Sequence, residues 1–193
     1  MEIRSSHELA PSAQSDVEYE LDADDRIRRV NEAWREFARE NDASFLADEA
    51  LGAPIWSWIA GQEVRHLFRA VFKRVRTEGG SVAFPFRCDS PARRRFMEFH
   101  ISALEEGAVL CRARLLKVED REPMTLQIAQ GVGPLLAMCS WCKKVRTPDA
   151  RWLELEEGVL HLRLFESPPS GITHTICDAC ELHFEQVAGL SGP

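Results

Sequence analysis

The sequence lacks the features that would place the protein in a membrane or on nucleic acid. No apolar run in its 193 residues approaches the roughly 18 residues that a helix needs to span a bilayer. The N-terminal stretch MEIRSSHELAPSAQSDVE has no apolar core of a signal peptide, so we expect a cytoplasmic protein. Lys and Arg number 24 against 31 Asp and Glu, and this net charge of -7 disfavours nucleic acid and anionic membranes as partners.

Signatures of catalysis are missing as well. The segment Gly131-Val132-Gly133 has no third glycine and runs into Pro134 instead of a helix, so it is not a phosphate-binding loop. No grouping of Ser, His and Asp, and no carboxylate pair, rises above background. Covalent attachment of haem needs CxxCH, which neither CxxC unit of this chain provides. We therefore expect a protein without enzymatic activity.

What the chain does contain is a patterned middle section between less regular ends. Residues 1–16 are polar and aperiodic, which predicts a disordered arm. Residues 17–121 show the order strand, strand, helices and three strands, which predicts an α+β domain with an antiparallel sheet and helices on one face. Residues 122–137 contain Pro and Gly and are predicted to be a connector. Residues 138–193 form a predicted lobe with four cysteines.

Local patterns predict several individual elements. Asn31 is a candidate N-cap for a short helix, and apolar residues recur on one stripe from Gln62 to Glu78, where two glycines end the second helix. Three later segments alternate apolar and polar residues, which is typical of half-buried strands. The arginines Arg93–Arg95 are expected on the solvated face of the sheet.

The middle section resembles a known family. The hairpin running into DADDRIRRVNEAWREFAREN, the helical middle and the three closing strands are similar to a PAS domain over about residues 17–121. The resemblance implies a five-stranded sheet with a pocket between the sheet and the helices. It also implies a small-molecule ligand or a protein partner in a signalling pathway, and PAS-like sheets often form homodimers. The ligand of such a pocket is unknown, and one alternative is that side chains alone fill it.

Four of the six cysteines form two CxxC pairs, Cys139 with Cys142 and Cys177 with Cys180. The two-residue spacing lets both thiolates of a pair reach one ion, and four thiolates at about 2.3 Å suit a tetrahedral structural zinc site. The second pair opens a predicted helix over 178–188, so we expect a treble-clef-like zinc lobe. Redox-active dithiols and a site without metal are the alternatives.

Other residues around the pairs define the remaining hypotheses for the lobe. MCSWCKKV, Trp152 and the closing THTICDAC resemble a cysteine-rich module appended to bacterial sensory PAS proteins. His174 lies three residues before Cys177 and is a candidate substitute ligand. Because four cysteines already complete the tetrahedron, we favour a position for His174 beside the site or at the surface. Cys88 and Cys111 are interpreted as small buried hydrophobes.

Two further alternatives concern haem and nucleic acid. A haem-binding PAS domain would need an axial ligand on the long helix, where His66 is the candidate. On a helical wheel His66 lies roughly 160° from Phe68, the centre of the apolar stripe, which favours an exposed histidine over a ligand. A nucleic-acid-binding zinc module would depend on the local basic cluster of Lys143, Lys144 and Arg146. The favoured hypothesis is a non-enzymatic sensory or interaction protein with a structural zinc site.

Overall fold

A computed structural model describes residues 15–41, 43, 45 and 49–189 of the chain. The predicted disordered arm, residues 1–16, lies outside the described residues except for its last two. Within the described ranges, no helix combines the length and the apolar character that crossing a membrane would require.

The first part of the chain folds into one antiparallel sheet with helices against one face. Its strands are β1 (Val17–Leu21), β2 (Ile27–Val30), β3 (Ser81–Arg87), β4 (Arg93–Ala103) and β5 (Val109–Asp120). Its α-helices are α1 (Glu32–Glu40) and α2 (Gln62–Glu78), with short 3-10 turns at Ile55–Ser57 and Glu105–Gly107. The strand order is β2-β1-β5-β4-β3, and all neighbours are antiparallel. The predicted fold class, a PAS-like five-stranded sheet with helices on one face, is confirmed.

Asn31 joins β2 to α1 and fixes the start of that helix. Its Oδ1 accepts the backbone N–H of Trp34 at 2.8 Å, which is the predicted N-cap bond, and also the N–H of Glu18 in β1 at 3.1 Å. Its Nδ2 donates to the carbonyl of Asp16 at 2.8 Å. One side chain therefore ties the helix start to the first strand.

Helix α2 covers the inner face of the sheet with the stripe that the sequence predicts. Its buried residues are Val64, Leu67, Val71, Phe72 and Val75. The helix ends at Gly79, whose φ of 74° is a left-handed conformation that glycine adopts without a steric penalty. The facing strands bury alternate residues, as predicted: Met97, Phe99 and Ile101 on β4, and Val109, Cys111 and Ala113 on β5.

The C-terminal lobe contains a second sheet of order β8-β7-β6-β9. Its elements are β6 (Leu135–Cys139), β7 (Val145–Arg146), β8 (Trp152–Leu153), α3 (Leu155–His161), β9 (Gly171–Thr175) and α4 (Asp178–Ala188). Strands β6 and β9 are parallel, and the other pairs are antiparallel. Helix α4 has the predicted bounds. Strand β6 begins inside the segment predicted to be a connector. Its five residues are too few to show a clear alternation, so the sequence pattern does not reveal this strand.

The hydrophobic core continues from the first sheet into the lobe. Trp141, Ile176 and Phe184 of the lobe are buried in the same cluster as the inner residues of α2 and β3. A second, smaller core belongs to the lobe alone and consists of Leu136, Val145, Leu155, Val159 and Leu164. The domain boundary near residue 137 stays a prediction. Buried side chains on both sides of it belong to one hydrophobic cluster.

Candidate metal centre and its junction with the sheet

The four predicted ligand cysteines meet at the end of β6. The Sγ atoms of Cys139, Cys142, Cys177 and Cys180 all lie within 4.8 Å of one another, and those of Cys142 and Cys177 are 3.7 Å apart. Four sulfurs each about 2.3 Å from a central ion would stand roughly 3.8 Å apart, whereas a disulfide bond would bring two sulfurs to about 2.05 Å. All six cysteines are free thiols. The arrangement can therefore hold one metal ion in a tetrahedral site.

A tight turn after β6 positions the first cysteine pair. The N–H of Cys139 donates to the carbonyl of Lys144 at 2.8 Å, and the N–H of Lys143 donates to the carbonyl of Cys139 at 3.1 Å. Lys143 has a φ of 62°, a left-handed conformation that is costly for a residue with a side chain. The turn directs Cys142 back toward Cys139, so that both sulfurs of the first CxxC pair face the same point.

The parallel pairing of β6 with β9 brings the second pair to the first. Cys139 is in register with Thr175, which leaves Cys177 directly beyond the strand. Cys177 is the N-cap of α4 and Cys180 lies in its first turn. Both sulfurs are thus near the positive end of the helix dipole, where a thiolate is stabilised.

Electrostatic coupling among the sulfurs explains why the site suits a cation. Hydrogen bonds from Cys142 and then Cys180 hold the pKa of Cys139 below its ordinary value. The bond to Cys139 in turn raises the pKa of Cys142 to about 12 and raises that of Cys180. The backbone N–H of Cys177 also donates to the Cys139 sulfur at 3.4 Å. Sulfurs this close resist carrying several negative charges together unless a divalent cation balances them.

The two candidate histidines lie away from this cluster. His174 is exposed on β9, and the group of ligand atoms consists of the four sulfurs without it. Its carbonyl packs against the start of α2, where a Cβ on Gly61 would stand 2.6 Å from that oxygen. His66 is exposed on α2. The structure therefore places His174 outside the group of cysteine ligands, and it gives His66, the candidate axial ligand for haem, an exposed position.

Two of the three residues in the local basic cluster make polar contacts within the chain. The Nζ of Lys143 donates to the carbonyl of Ser140 at 2.7 Å, and Lys144 lies 3.7 Å from a carboxylate oxygen of Glu154. Arg146 is exposed on β7.

Aromatic side chains join the metal centre to the first sheet. Trp141 lies between the two cysteines of the first pair in sequence, and its ring centroid is 4.8 Å from that of Phe184 on α4 and 5.5 Å from that of Phe84 on β3. The centroids of Phe84 and Phe184 are also 4.8 Å apart. The carbonyl of Trp141 accepts the backbone N–H of Arg87 on β3 at 2.7 Å. The residues that bind metal and the residues that dock the lobe are therefore neighbours in sequence.

An ion network supports the same junction. Arg87, 7% exposed, pairs with Asp89 and reaches Glu154 of the lobe at 2.7 Å. Arg94 and Arg121 reach the two carboxylate oxygens of Glu156 at 2.7 and 2.8 Å. Helix α3 carries Glu156 to the sheet, so the expectation that Arg93–Arg95 mark a solvated face is wrong for Arg94. The sequence gives no sign of the pairs that Glu154 and Glu156 make, because their arginine partners lie more than 30 residues away.

Aromatic rings occupy the space between α2 and the sheet. The centroid of Phe68 lies 5.8 Å from that of Phe72 and 6.0 Å from that of Phe99, and Trp56 is 5.8 Å from Phe72. An apolar cavity of about 310 Å³ lies farther out, at the junction between β3 and α4, where Phe84 is part of its lining. Aromatic side chains therefore pack together in this part of the space between α2 and the sheet.

Comparison with known proteins finds PAS domains among the structural neighbours of the chain. No protein-family model matches the chain, and no curated protein matches it. The PAS domain of the Cronobacter turicensis RpfR quorum-sensing receptor, in complex with C12:0, is 17% identical, with 56% of this chain and 99% of that chain covered at a TM-score of 0.35. The PAS domain of an HTR-like protein from Haloarcula marismortui is 22% identical, with 56% and 90% covered at a TM-score of 0.33. Both neighbours are PAS domains.

Proposed function

We propose that this protein is a non-enzymatic sensory or interaction protein, in which a PAS-like domain responds to a ligand or partner and a zinc-bound lobe completes its core. The observation that carries the proposal is the four-sulfur cluster, whose sulfurs lie within 4.8 Å of one another beside the aromatic junction. Four thiolate donors without an open position are typical of a closed structural zinc site.

The metal would act by fixing two docking residues. Cys139 and Cys142 would hold the turn that carries Trp141, and Cys177 and Cys180 would hold the start of the helix that carries Phe184. Bound metal would therefore keep both rings against β3. A ligand or partner that displaced these rings would change the position of the lobe on the sheet. Binding would in this way be converted into a conformational signal.

Metal analysis of the purified chain tests the proposal. We expect about one zinc ion per chain after purification without chelator, and loss of the metal in Cys142→Ser because three sulfurs cannot close the tetrahedron. Cys88→Ser is the matched control, since Cys88 is outside the cluster and should leave the zinc content unchanged. Zinc below about a tenth of an equivalent in a folded native chain would contradict the proposal.

A further inference from the structure

The apolar cavity at the junction between β3 and α4 has a buried base and an exposed rim. Its volume is about 310 Å³. The base consists of three buried aromatic side chains, those of Phe84, Trp141 and Phe184. The rim consists of three exposed residues, Pro85, Ala179 and His183. A small molecule can therefore enter from solvent and reach aromatic rings that belong to the core.

The chemistry of the lining selects against a charged ligand. Among the described residues, the lining contains no Lys, Arg, Asp or Glu, and its polar side chains are His183 at the rim and Cys180 of the metal centre. A carboxylate or an ammonium group placed on the buried rings would lose its hydration without gaining an ion-pair partner. The cavity therefore suits an uncharged molecule with one polar group, which His183 can meet at the rim.

The rings at the base favour an aromatic ligand. The ring of Phe84 stands at 73° to that of Phe184 and the ring of Trp141 at 37°, with both centroids 4.8 Å from the centroid of Phe184. Aromatic rings attract one another in such tilted and edge-to-face arrangements at separations of about 4.5–7 Å, so a further planar ring can extend the cluster. Ligand pockets range from about 300 to about 1,000 Å³, and this cavity lies at the lower end, which limits the ligand to one or two rings.

The cavity lies across the contact between the lobe and the first sheet. Phe84 and Pro85 belong to β3, whereas Trp141 and Phe184 belong to the lobe. A molecule in the cavity therefore contacts both parts of the chain at once. Because Trp141 lies between Cys139 and Cys142 in the sequence, the same molecule also contacts the turn that carries the first cysteine pair.

We propose that this cavity binds a small uncharged aromatic molecule of one or two rings, which strengthens the contact between the lobe and the sheet. The inference rests on the proposed function, in which a ligand acts at this junction. It gives the chemical class of that ligand and places its binding site between β3 and α4, outside the space between α2 and the sheet.

Titration of the full zinc-loaded chain with indole, followed by isothermal titration calorimetry, tests the proposal. We expect one site with a Kd on the order of 0.1 mM, because a two-ring molecule has few atoms with which to make contacts. Indole-3-carboxylate adds a carboxylate to the same rings and should bind at least about 10-fold more weakly, since the lining offers it no cation. Indole should also raise the melting temperature, because a ligand that binds the folded chain alone stabilises it.

A variant that fills the cavity locates the site. Ala179→Leu keeps a good helix former in α4 and should weaken indole binding at least about 10-fold, because the larger side chain occupies the cavity. Ala92→Leu is the matched control, since Ala92 is exposed in the turn before β4 and does not line the cavity. Zinc content and circular dichroism show whether each variant is folded, and His183→Trp, which fills the cavity from its rim, replaces Ala179→Leu if that variant is not. In the native chain, nuclear Overhauser effects should connect the indole protons to the Ala179 methyl group.

The proposal is overturned by a native chain that shows no saturable binding of indole up to about 1 mM, by equal affinities of the native chain and the filled variant, or by Overhauser effects to Val71 of α2 instead of Ala179. A native chain that carries zinc but does not bind indole would overturn this inference alone. A folded native chain without zinc would contradict the proposed function, whatever its affinity for indole.

Discussion

Replacing Phe184 with alanine tests whether the lobe and the sheet fold as one unit. Phe184 is 1% exposed, and its ring centroid lies 4.8 Å from those of both Phe84 and Trp141. Deleting a buried phenylalanine removes its transfer free energy and leaves a cavity, which together cost about 3–5 kcal/mol. Because the ring lies between elements of the lobe and the first sheet, we expect that loss in the free energy of unfolding of the whole chain.

The assay is urea denaturation of the zinc-loaded, reduced protein, followed by tryptophan fluorescence and by far-ultraviolet circular dichroism. Both signals should shift together in Phe184→Ala, in one transition. Phe165→Ala is the matched control, because Phe165 is 63% exposed and its loss should cost no more than about 0.5 kcal/mol. A loss below about 1 kcal/mol in Phe184→Ala, or a separate transition in which the sheet unfolds as in the native protein, would refute the shared core.

Two further predictions concern the lobe. Burial alone would raise the pKa of Glu156, but hydrogen bonds from Arg94 and Arg121 outweigh it and lower the pKa from 4.5 to about 2. Because the pKa is lowered in the folded state, Glu156 stabilises the fold above pH 4.5 and loses this contribution as the pH falls toward 2. The difference in free energy of unfolding between the native protein and Glu156→Gln, measured by urea titration, should therefore shrink over that pH range. A difference that stays constant would contradict the assignment. In Gly158→Ala the new Cβ would stand 2.1 Å from Cγ2 of the fully buried Val145, so we expect a loss of about 1–3 kcal/mol in thermal unfolding, and an unchanged melting temperature would show that α3 can shift.

The features that the sequence predicts well depend on local patterns. The stripe of α2 repeats over 17 residues, long enough for helical spacing to be unambiguous, and Asn31 caps α1 through a neighbour three residues away. The four cysteines are predictable as a group because CxxC spacing is itself a chemical requirement of metal binding.

The features that the sequence does not predict depend on distant partners. In the sequence, Phe184 is simply one apolar residue of a short helix. Its burial depends on contacts with Phe84 of β3 and with Trp141, which the sequence does not reveal. Arg87 pairs with the nearby Asp89, but its second partner, Glu154, lies 67 residues away in the sequence. Strand β6 is stabilised mainly by its pairing with β9, which follows it by more than 30 residues. No window along the sequence contains both members of these contacts.

The bond between Arg87 and Trp141 also protects the edge of the first sheet. Strand β3 is the last in its sheet, and an uncovered edge strand is a template for pairing with strands of other molecules. Pro85 has no N–H to offer such a strand, and the N–H of Arg87 is already taken by the carbonyl of Trp141. The lobe thus covers part of the edge strand. If the lobe detached while the sheet stayed folded, the unpaired backbone groups of β3 would be exposed, and aggregation through this edge would become possible.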